Sequence, residues 1–256
     1  MVKNLKVLIR GLLAPVIGFS LAKDWQTAKL KTSGYEGDAT LDSLASRIES
    51  LETPDKLPHD ARLVEIAKAS RDSTKQNNDS QPIRVLDIGG SFGEHFFHIK
   101  KLMPEHSFNW TVLETEGHCA IIPEFLTSIK GLQFISEPPA INQHFDIALL
   151  SSVIQYVDDP YDLLTMALHI SDSVIINRLP LSPYAKDRVA IQRPGLLGSK
   201  GSYPVHIFSE TTFTKYLEPI AEIRSRWMVP QDSAVIRFKY IENQGFLLKP
   251  RLNTSV

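Results

Sequence analysis

From residue 83 onward, short apolar runs alternate with stretches of helical period. The apolar runs predict strands at Ile83–Ile88, Asn109–Glu114, Leu132–Ser136, Phe145–Ser151 and Ser173–Asn177. Helical patterns lie between them at Glu94–Met103, Gly117–Lys130 and Asp159–His169. The connection Glu137–His144 is too short for a further helix. This alternation predicts an α/β domain with a mostly parallel sheet.

The pattern changes character near residue 180. Residues 180–208 show little regular periodicity and contain several prolines and glycines, which predicts a long irregular connection. A loop of this length inside a compact domain is often functional. A short helix is predicted at Ser209–Leu217, followed by two strands, Glu222–Val229 and Ala234–Lys249, paired as a C-terminal antiparallel hairpin.

The first 80 residues predict a helical extension, and residues 81–256 predict the main domain. Helical periods occur at Trp25–Ser33, Leu41–Leu51 and His59–Ser70, and the polar stretch 71–81 predicts a mobile loop. Upstream, the apolar stretch Val7–Ala22 is flanked and interrupted by Lys3, Lys6 and Arg10. It predicts either a helix packed on the domain or a segment, residues 1–22, that lies peripherally on an anionic membrane surface.

Composition narrows the classes of partner. The formal net charge of −1 gives no global field that would recruit nucleic acid. The single cysteine, Cys119, cannot form an intrachain disulfide, which predicts a cytoplasmic protein. If residues 1–22 lie on a membrane, the protein is expected at the inner face of that membrane. No apolar run reaches the ~20 residues of a membrane helix. The histidines do not form a metal-ligand pattern, so no metal site is predicted.

The most informative motif is the stretch Ile-Arg-Val-Leu-Asp-Ile-Gly-Gly-Ser-Phe-Gly at Ile83–Gly93. An apolar run ends in Asp87, and a tight turn of small residues leads into a helix, which is typical of a nucleotide-binding turn. A dinucleotide motif needs a third glycine where Glu94 stands, and the Gly-Lys-Ser/Thr of a phosphate-binding loop is absent. The spacing fits Asp-x-Gly-x-Gly-x-Gly better, with Ser91 at the middle glycine.

With this motif the chain resembles the class I S-adenosylmethionine-dependent methyltransferases. The resemblance implies a Rossmann-like, doubly wound sheet and S-adenosyl-L-methionine as the cofactor. The turn residues that would approach its amino-acid end and ribose are Asp87, Gly89, Gly90, Ser91 and Gly93. Glu114 ends the second predicted strand, where a carboxylate can accept from both ribose hydroxyls. Ser136 stands where such enzymes contact adenine, and Ser151, Ser152 and Gln155 would line the mouth near the sulfonium.

Other segments narrow the resemblance to a small bacterial family of predicted methyltransferases associated with surface-polysaccharide gene clusters. The matching segments are Asp24-Trp25, Ser33-Gly34-Tyr35, Asn177–Leu181, Ile191–Arg193 and Ser202–Glu210. The resemblance implies a small molecule, a glycan or a glycan precursor as the methyl acceptor, and a role in polysaccharide biosynthesis. Arg178, Gln192 and His206 are the candidate catalytic residues on the acceptor side.

Two alternatives stay open at this point. Ser91 and the lack of an evident base allow a catalytically silent, methyltransferase-like domain that binds the cofactor or a partner. A nucleotide-sugar or NAD-dependent enzyme is the other, and Glu94 disfavours it. His95, at the start of the helix Glu94–Met103, is interpreted as a helix-surface histidine rather than a base.

Overall fold

The computed structural model describes residues 18–34, 65–69, 72, 81–193, 201–236 and 239–251. The strands in these ranges are β1 Gly18–Leu21, β2 Ile83–Ile88, β3 Phe108–Leu113, β4 Leu132–Ile135, β5 Ile147–Ser151, β6 Val174–Ser182, β7 Arg188–Arg193, β8 Tyr203–Ser209, β9 Ala221–Ile236 and β10 Lys239–Pro250. The helices are α1 Trp25–Lys29, α2 Glu94–Leu102, α3 Glu116–Cys119, α4 Glu124–Thr127, α5 Pro160–His169 and α6 Glu210–Leu217. Residues 65–69 form a further short helical segment, and Ile154–Tyr156 form a 3₁₀ turn.

One twisted sheet forms the centre of the molecule. Its strand order is β1-β7-β8-β6-β5-β2-β3-β4, and β10 pairs with β6 and with β9. The strands β4, β3, β2, β5 and β6 run parallel to their neighbours in that series. The last two strands, β9 and β10, pair antiparallel along most of their length. The predicted α/β architecture, with a mostly parallel sheet and a C-terminal antiparallel hairpin, is therefore confirmed.

Apolar side chains cover both faces of the parallel strands, which is why these strands read as continuous apolar runs. On one face, Trp110 and Ile147 pack with Phe96 of α2. On the other face, Ile176 packs with Leu164 of α5. Because both faces are filled, the place left for polar ligand-binding groups is the edge of the sheet where the parallel strands end.

The single helix predicted over Gly117–Lys130 is wrong, because Pro123 divides it. α3 ends at Cys119 and α4 begins at Glu124, and Pro123 precedes α4 with an extended backbone (φ −64°, ψ 143°). Proline has no N–H to donate and disfavours helical conformation in the residue before it. A helix can therefore start after Pro123 but does not run through it.

The irregular connection predicted over residues 180–208 is also wrong. β6 continues to Ser182, and β7 and β8 form an antiparallel pair in which Ala190 lies opposite Val205. Both side chains are buried with Ile207, in a small core that also contains Ile236 of β9 and Ile241 of β10. The alternation of Val205 and Ile207 was the available signal, and the several prolines and glycines of the stretch pointed to a loop instead. We call β7 and β8 together the insert.

The described part of the N-terminal extension is joined to the insert. Gly18–Leu21, predicted within a helical stretch, form β1 and pair antiparallel with β7, so the helical prediction is wrong for these four residues. The helix predicted over Trp25–Ser33 is present but ends at Lys29. Across the described ranges, no helix has the length and apolar character that crossing a membrane requires.

A second piece of the extension packs on the main domain. Residues 65–69 fall within the predicted helix His59–Ser70 and are helical. Ile66 and Ala69 are buried in the same core as Phe96 of α2, and Glu65 accepts a hydrogen bond from Ser225 of β9 at 2.7 Å. The helix predicted over Leu41–Leu51, residues 1–17 and most of the loop 71–81 lie outside the described residues.

Candidate functional site

The glycine-rich turn joins the end of β2 to the start of α2. Gly89, Ser91 and Gly93 all have positive φ angles, of 67°, 54° and 80°. This left-handed conformation is easy for glycine and costly for other residues, which explains the alternating small residues of the motif. Gly90 is required for another reason: a Cβ atom there would lie 2.5 Å from Cγ of Asp87. The backbone of the turn thus rests directly on the Asp87 carboxyl group.

Asp87 is completely buried beneath this turn. Its Oδ2 accepts from Trp110 Nε1 at 3.1 Å and lies 3.0 Å from His95 Nδ1. Its Oδ1 is buried without a hydrogen-bond partner. His95 is itself buried, so its interpretation as a helix-surface histidine is wrong. The contact with Asp87 explains why His95 is buried, because a buried carboxyl group needs hydrogen-bond partners.

Glu114 follows β3 and connects it to the turn. Its Oε1 accepts from the Ser91 N–H at 2.8 Å, and its Oε2 accepts from the Thr115 N–H at 3.2 Å. His118 Nδ1 lies 3.7 Å from Oε2. Burial raises the pKa of Glu114, and the neighbouring His118 acts in the opposite direction. The structure thus brings Glu114 together with the turn residues, as the predicted ribose site requires.

Ser136 lies at the same edge of the sheet, directly after β4. The carbonyl of Ile135 accepts from the Glu114 N–H at 3.0 Å, which places the ends of β3 and β4 side by side. The Ser136 side chain is exposed. As expected, no helix separates β4 from β5. The adenine role of Ser136 stays a prediction.

The segment after β5 forms the next part of this edge. Ser152 has a φ of 62°, and its N–H donates to the carbonyl of Asn177 at 2.9 Å. Gln155 is buried, and its Nε2 lies 3.3 Å from both Ser152 Oγ and the Arg178 carbonyl. Its Oε1 is buried without a hydrogen-bond partner. Ser151, which ends β5, is half-buried opposite Asn177.

This segment also touches the glycine-rich turn. A Cβ atom on Gly89 would lie 2.6 Å from Cγ2 of Val153. Gly89 therefore lets the β2 end and the β5 end approach each other closely. As a result, Gln155 and the turn belong to one continuous edge.

Arg178 lies in a bulge of β6. The register with β10 shifts between Gln244 and Phe246, so that Asn177 and Arg178 both stand against the single residue Gly245. Arg178 has a φ of 62°. Bulges redirect side chains and are frequent next to functional sites. Gly245 leaves room for Trp227, whose ring a Cβ atom there would overlap and whose Nε1 donates to Asn177 Oδ1 at 3.0 Å.

The structure places Gln192 and His206 on the insert. Gln192 Oε1 accepts from the Tyr156 hydroxyl at 2.7 Å, which joins the insert to the 3₁₀ turn that contains Gln155. His206 Nε2 donates to the Val157 carbonyl at 3.1 Å, and its ring stacks on Trp25. Burial lowers the pKa of His206. These are the contacts of a packed neutral histidine, and its catalytic role is untested.

Sequence reasoning missed several residues that shape this edge. They are Trp110, His118, Val153 and Tyr156, together with the buried position of His95. The sequence carries no local signal for the contact of His118 with Glu114, because Glu114 precedes the N-cap Thr115 and only His118 lies in α3. Among the described residues, no group of three or more His, Cys, Asp or Glu side chains is placed to hold a metal ion.

No protein-family model matches the chain, and no curated protein matches it. The solved structure of the CcbJ methyltransferase from Streptomyces caelestis is similar over 85% of this chain and 98% of its own, with 11% identity and a TM-score of 0.52. A S-adenosylmethionine-dependent methyltransferase from Clostridium acetobutylicum is similar over 72% and 89%, with 14% identity and a TM-score of 0.46. The N-terminal domain of EvdMO1 with S-adenosylhomocysteine (SAH) bound covers 72% and 81%, with 14% identity and a TM-score of 0.47. At such identities the likeness concerns the fold, and this chain has the Rossmann-like α/β fold of the CcbJ methyltransferase.

Proposed function

We propose that this protein is an S-adenosylmethionine-dependent methyltransferase. The observation that carries the proposal is a set of three buried polar atoms without hydrogen-bond partners: Asp87 Oδ1, Ser91 Oγ and Gln155 Oε1. They belong to the β2 end, the glycine-rich turn and the segment after β5, all at the carboxyl edge of the parallel strands. Buried polar atoms are nearly always paired in folded proteins, so a polar ligand at this edge accounts for all three.

The donors and acceptors at this edge fit the parts of the cofactor. Asp87 Oδ1 and Gln155 Oε1 can accept from an α-ammonium group, and the Ser91 hydroxyl can donate to an α-carboxylate. Each Glu114 oxygen accepts one backbone N–H and keeps a lone pair for a ribose hydroxyl. We propose Ser136 beside the adenine and Ser151 and Ser152 beside the sulfonium, following the sequence motif.

The cofactor, when bound, supplies a methyl group on a sulfonium that is already an excellent leaving group. The protein's task is then to align the acceptor, which can provide much of the acceleration. We propose that Arg178, presented by the bulge in β6, orients a carboxylate or phosphate of the acceptor. Gln192 has its Oε1 occupied by the Tyr156 hydroxyl, which leaves its Nε2 to donate to an acceptor hydroxyl.

We further propose a glycan or glycan precursor as the acceptor. The support is the resemblance of Asn177–Leu181, Ile191–Arg193 and Ser202–Glu210 to the polysaccharide-associated family. These segments belong to β6, β7 and β8, which are neighbours in the sheet. The proposal predicts SAH release from S-adenosylmethionine when a nucleotide sugar or an oligosaccharide is added, measured by mass spectrometry with Glu114→Ala as the inactive control.

The second candidate is a silent domain that binds the cofactor without turnover. It is favoured by the contacts of His206, whose Nε2 is engaged by the Val157 carbonyl. SAH binding without SAH release across the acceptor panel would support it. A nucleotide-sugar or NAD-dependent enzyme is the third candidate. Tighter binding of NAD than of SAH in calorimetric titration would support it.

Peripheral membrane contact is also a proposal, now restricted to the part of the predicted segment 1–22 that precedes β1, because Gly18–Leu21 pair with β7. Lys3, Lys6 and Arg10 are its basis, because basic residues beside apolar ones attract anionic lipid surfaces. Co-sedimentation with anionic liposomes tests it, with the three residues changed to glutamine as the comparison. Equal sedimentation of both proteins would remove the proposal.

A further inference from the structure

Residues 18–34 of the N-terminal extension contact both the insert and the segment after β5. β1 pairs with β7 over four residues, and Arg193 donates to Ser20 Oγ at 2.7 Å. The Gly34 N–H donates to the Ser202 carbonyl at 3.1 Å. We call residues 18–34 the clasp. The clasp is thus attached at one end to β7 and at the other end to Ser202, the residue before β8.

The centre of the clasp is Trp25. Its ring stacks on His206, with 4.2 Å between the ring centroids and 8° between the planes. Its Nε1 donates to Asp158 Oδ1 at 2.9 Å. Lys29, one turn further along α1, lies 3.0 Å from Asp158 Oδ2. Trp25 therefore contacts one residue of the insert and one residue of the segment that leads from β5 to α5.

That segment, residues 152–159, is joined to the clasp and the insert by several hydrogen bonds. His206 donates to the Val157 carbonyl, Trp25 and Lys29 donate to Asp158, and Tyr156 donates to Gln192. Toward the sheet, its contacts are the Ser152 N–H on the Asn177 carbonyl and Gln155 on the Arg178 carbonyl. Apart from the 3₁₀ turn, it has no regular structure of its own.

We propose that Trp25 is a positioning residue of the methyltransferase site. Through Asp158 and His206 it fixes residues 152–159, and so holds Gln155 and Val153 against the Arg178 carbonyl and the glycine-rich turn. The role deepens the proposed function and rests on it where cofactor affinity is concerned. It also gives a joint purpose to sequence segments, Asp24-Trp25 and Ser202–Glu210, that lie far apart in the chain and meet here.

Simple stabilisation accounts less well for these contacts. The Lys29–Asp158 pair is half exposed, with side-chain exposures of 57% and 49%, and exposed ion pairs contribute little. The ring stack on His206 and the hydrogen bond from Trp25 Nε1 to Asp158 instead fix the orientation of residues 152–159 relative to the clasp. A flat ring and a single donor together allow one relative orientation of their partners. If Trp25 orients the segment, its loss should change local hydrogen exchange and SAH affinity while the chain stays folded.

The first test is hydrogen exchange on the full chain without ligand. The Tyr156 N–H is held by the Val153 carbonyl inside the segment, at 2.8 Å. In Asp158→Ala its exchange should become roughly tenfold faster, as expected when a local opening becomes easier. Asp158→Asn keeps an acceptor for Trp25 and should restore slow exchange. Unchanged exchange in Asp158→Ala would overturn the proposal.

The second test is calorimetric titration of SAH into Trp25→Ala, with Leu30→Ala on the exposed side of the same region as the control. Trp25→Ala should bind roughly tenfold more weakly, the size of effect expected for coupled neighbours, and Leu30→Ala should match the wild type. Asp158→Ala serves if Trp25→Ala does not fold. Wild-type affinity in a folded Trp25→Ala overturns the inference. If the wild type itself fails to bind SAH, the proposed function fails. The exchange experiment, repeated on Trp25→Ala, then still decides whether Trp25 and Asp158 position the segment.

Discussion

Glu114 accepts a hydrogen bond from the Ser91 N–H at 2.8 Å, which ties the end of β3 to the middle of the glycine-rich turn. The bond holds Ser91, whose backbone is left-handed with a φ of 54°. It also links the two sequence motifs on which the proposed cofactor site depends. Changes at either residue should therefore affect ligand binding and the turn together.

Glu114→Ala should weaken SAH binding by about 1–3 kcal/mol, because both the ribose contacts and the support of the turn are lost. Isothermal titration measures the change directly. Glu116→Gln is the matched control, since Glu116 is an exposed carboxylate two residues away. Equal affinity in Glu114→Ala and the wild type would remove Glu114 from the site.

SAH affinity should fall on acidification, starting above the pH range in which glutamate usually titrates. Burial raises the pKa of Glu114, and the bound ribose needs the ionised carboxylate. Because the folded pKa is the higher one, the native state takes up this proton before the unfolded chain does, so acidification favours folding at this group. The loss of binding is therefore separable from unfolding. Glu114→Gln should remove the pH dependence, and a dependence that persists unchanged would assign it elsewhere.

Ser91→Gly should raise the free energy of unfolding slightly and lower the affinity for SAH. Glycine relieves the left-handed strain at φ 54°, which costs about 1–2 kcal/mol for other residues, and loses about 0.5–1 kcal/mol through greater freedom in the unfolded chain. The net change in unfolding free energy should be a small gain in urea denaturation. SAH binding should nevertheless weaken, because the Ser91 hydroxyl is gone. A gain in both quantities would show that the hydroxyl does not contact the ligand.

Gly90→Ala should destabilise the fold by about 1–3 kcal/mol, as overpacking of a filled site does. The new methyl group would lie 2.5 Å from Asp87 Cγ, and the carboxyl group is held in place by Trp110 and His95. Thermal and urea denaturation measure the loss. If Gly90→Ala unfolded like the wild type, the close approach of the turn to Asp87 would be contradicted.

His206 should make the native state sensitive to mild acid. Burial lowers its pKa below the ordinary value of 6.5, so the unfolded chain takes up the proton first. Stability is therefore lost as the pH falls from about 6.5 toward the folded pKa. His206→Gln should flatten this part of the curve of unfolding free energy against pH. A curve of unchanged slope would place the acid-sensitive group elsewhere.

Local rules predicted the strands β2 to β5, because buried parallel strands are continuous apolar runs, and they predicted the turn, because glycine spacing is visible in the sequence. They could not predict that Trp110 and His95 meet on Asp87, since this depends on the register of β2 with β3 and on the rotation of α2. The clasp was missed for a similar reason: the partner of β1 lies about 170 residues downstream. The bulge at Arg178 could not be predicted either, because it depends on which residue of β10, here Gly245, lies opposite β6.

The proline-containing segments show where composition misleads. Pro123 lies inside the predicted helix Gly117–Lys130 and in fact divides it. Pro204 is one of several prolines and glycines that predicted an irregular connection, and it in fact lies in β8. In both cases the outcome depends on whether the missing N–H faces a partner. That is a tertiary property, which a single sequence does not contain.

The central claim is that the carboxyl edge of the sheet binds S-adenosylmethionine. Calorimetric titration of SAH into the full chain at neutral pH tests it most directly, with Glu114→Ala measured beside the wild type. We expect one bound SAH per chain, with the binding free energy reduced by about 1–3 kcal/mol in the variant. No heat of binding and no thermal stabilisation of the folded wild type at millimolar SAH would contradict it.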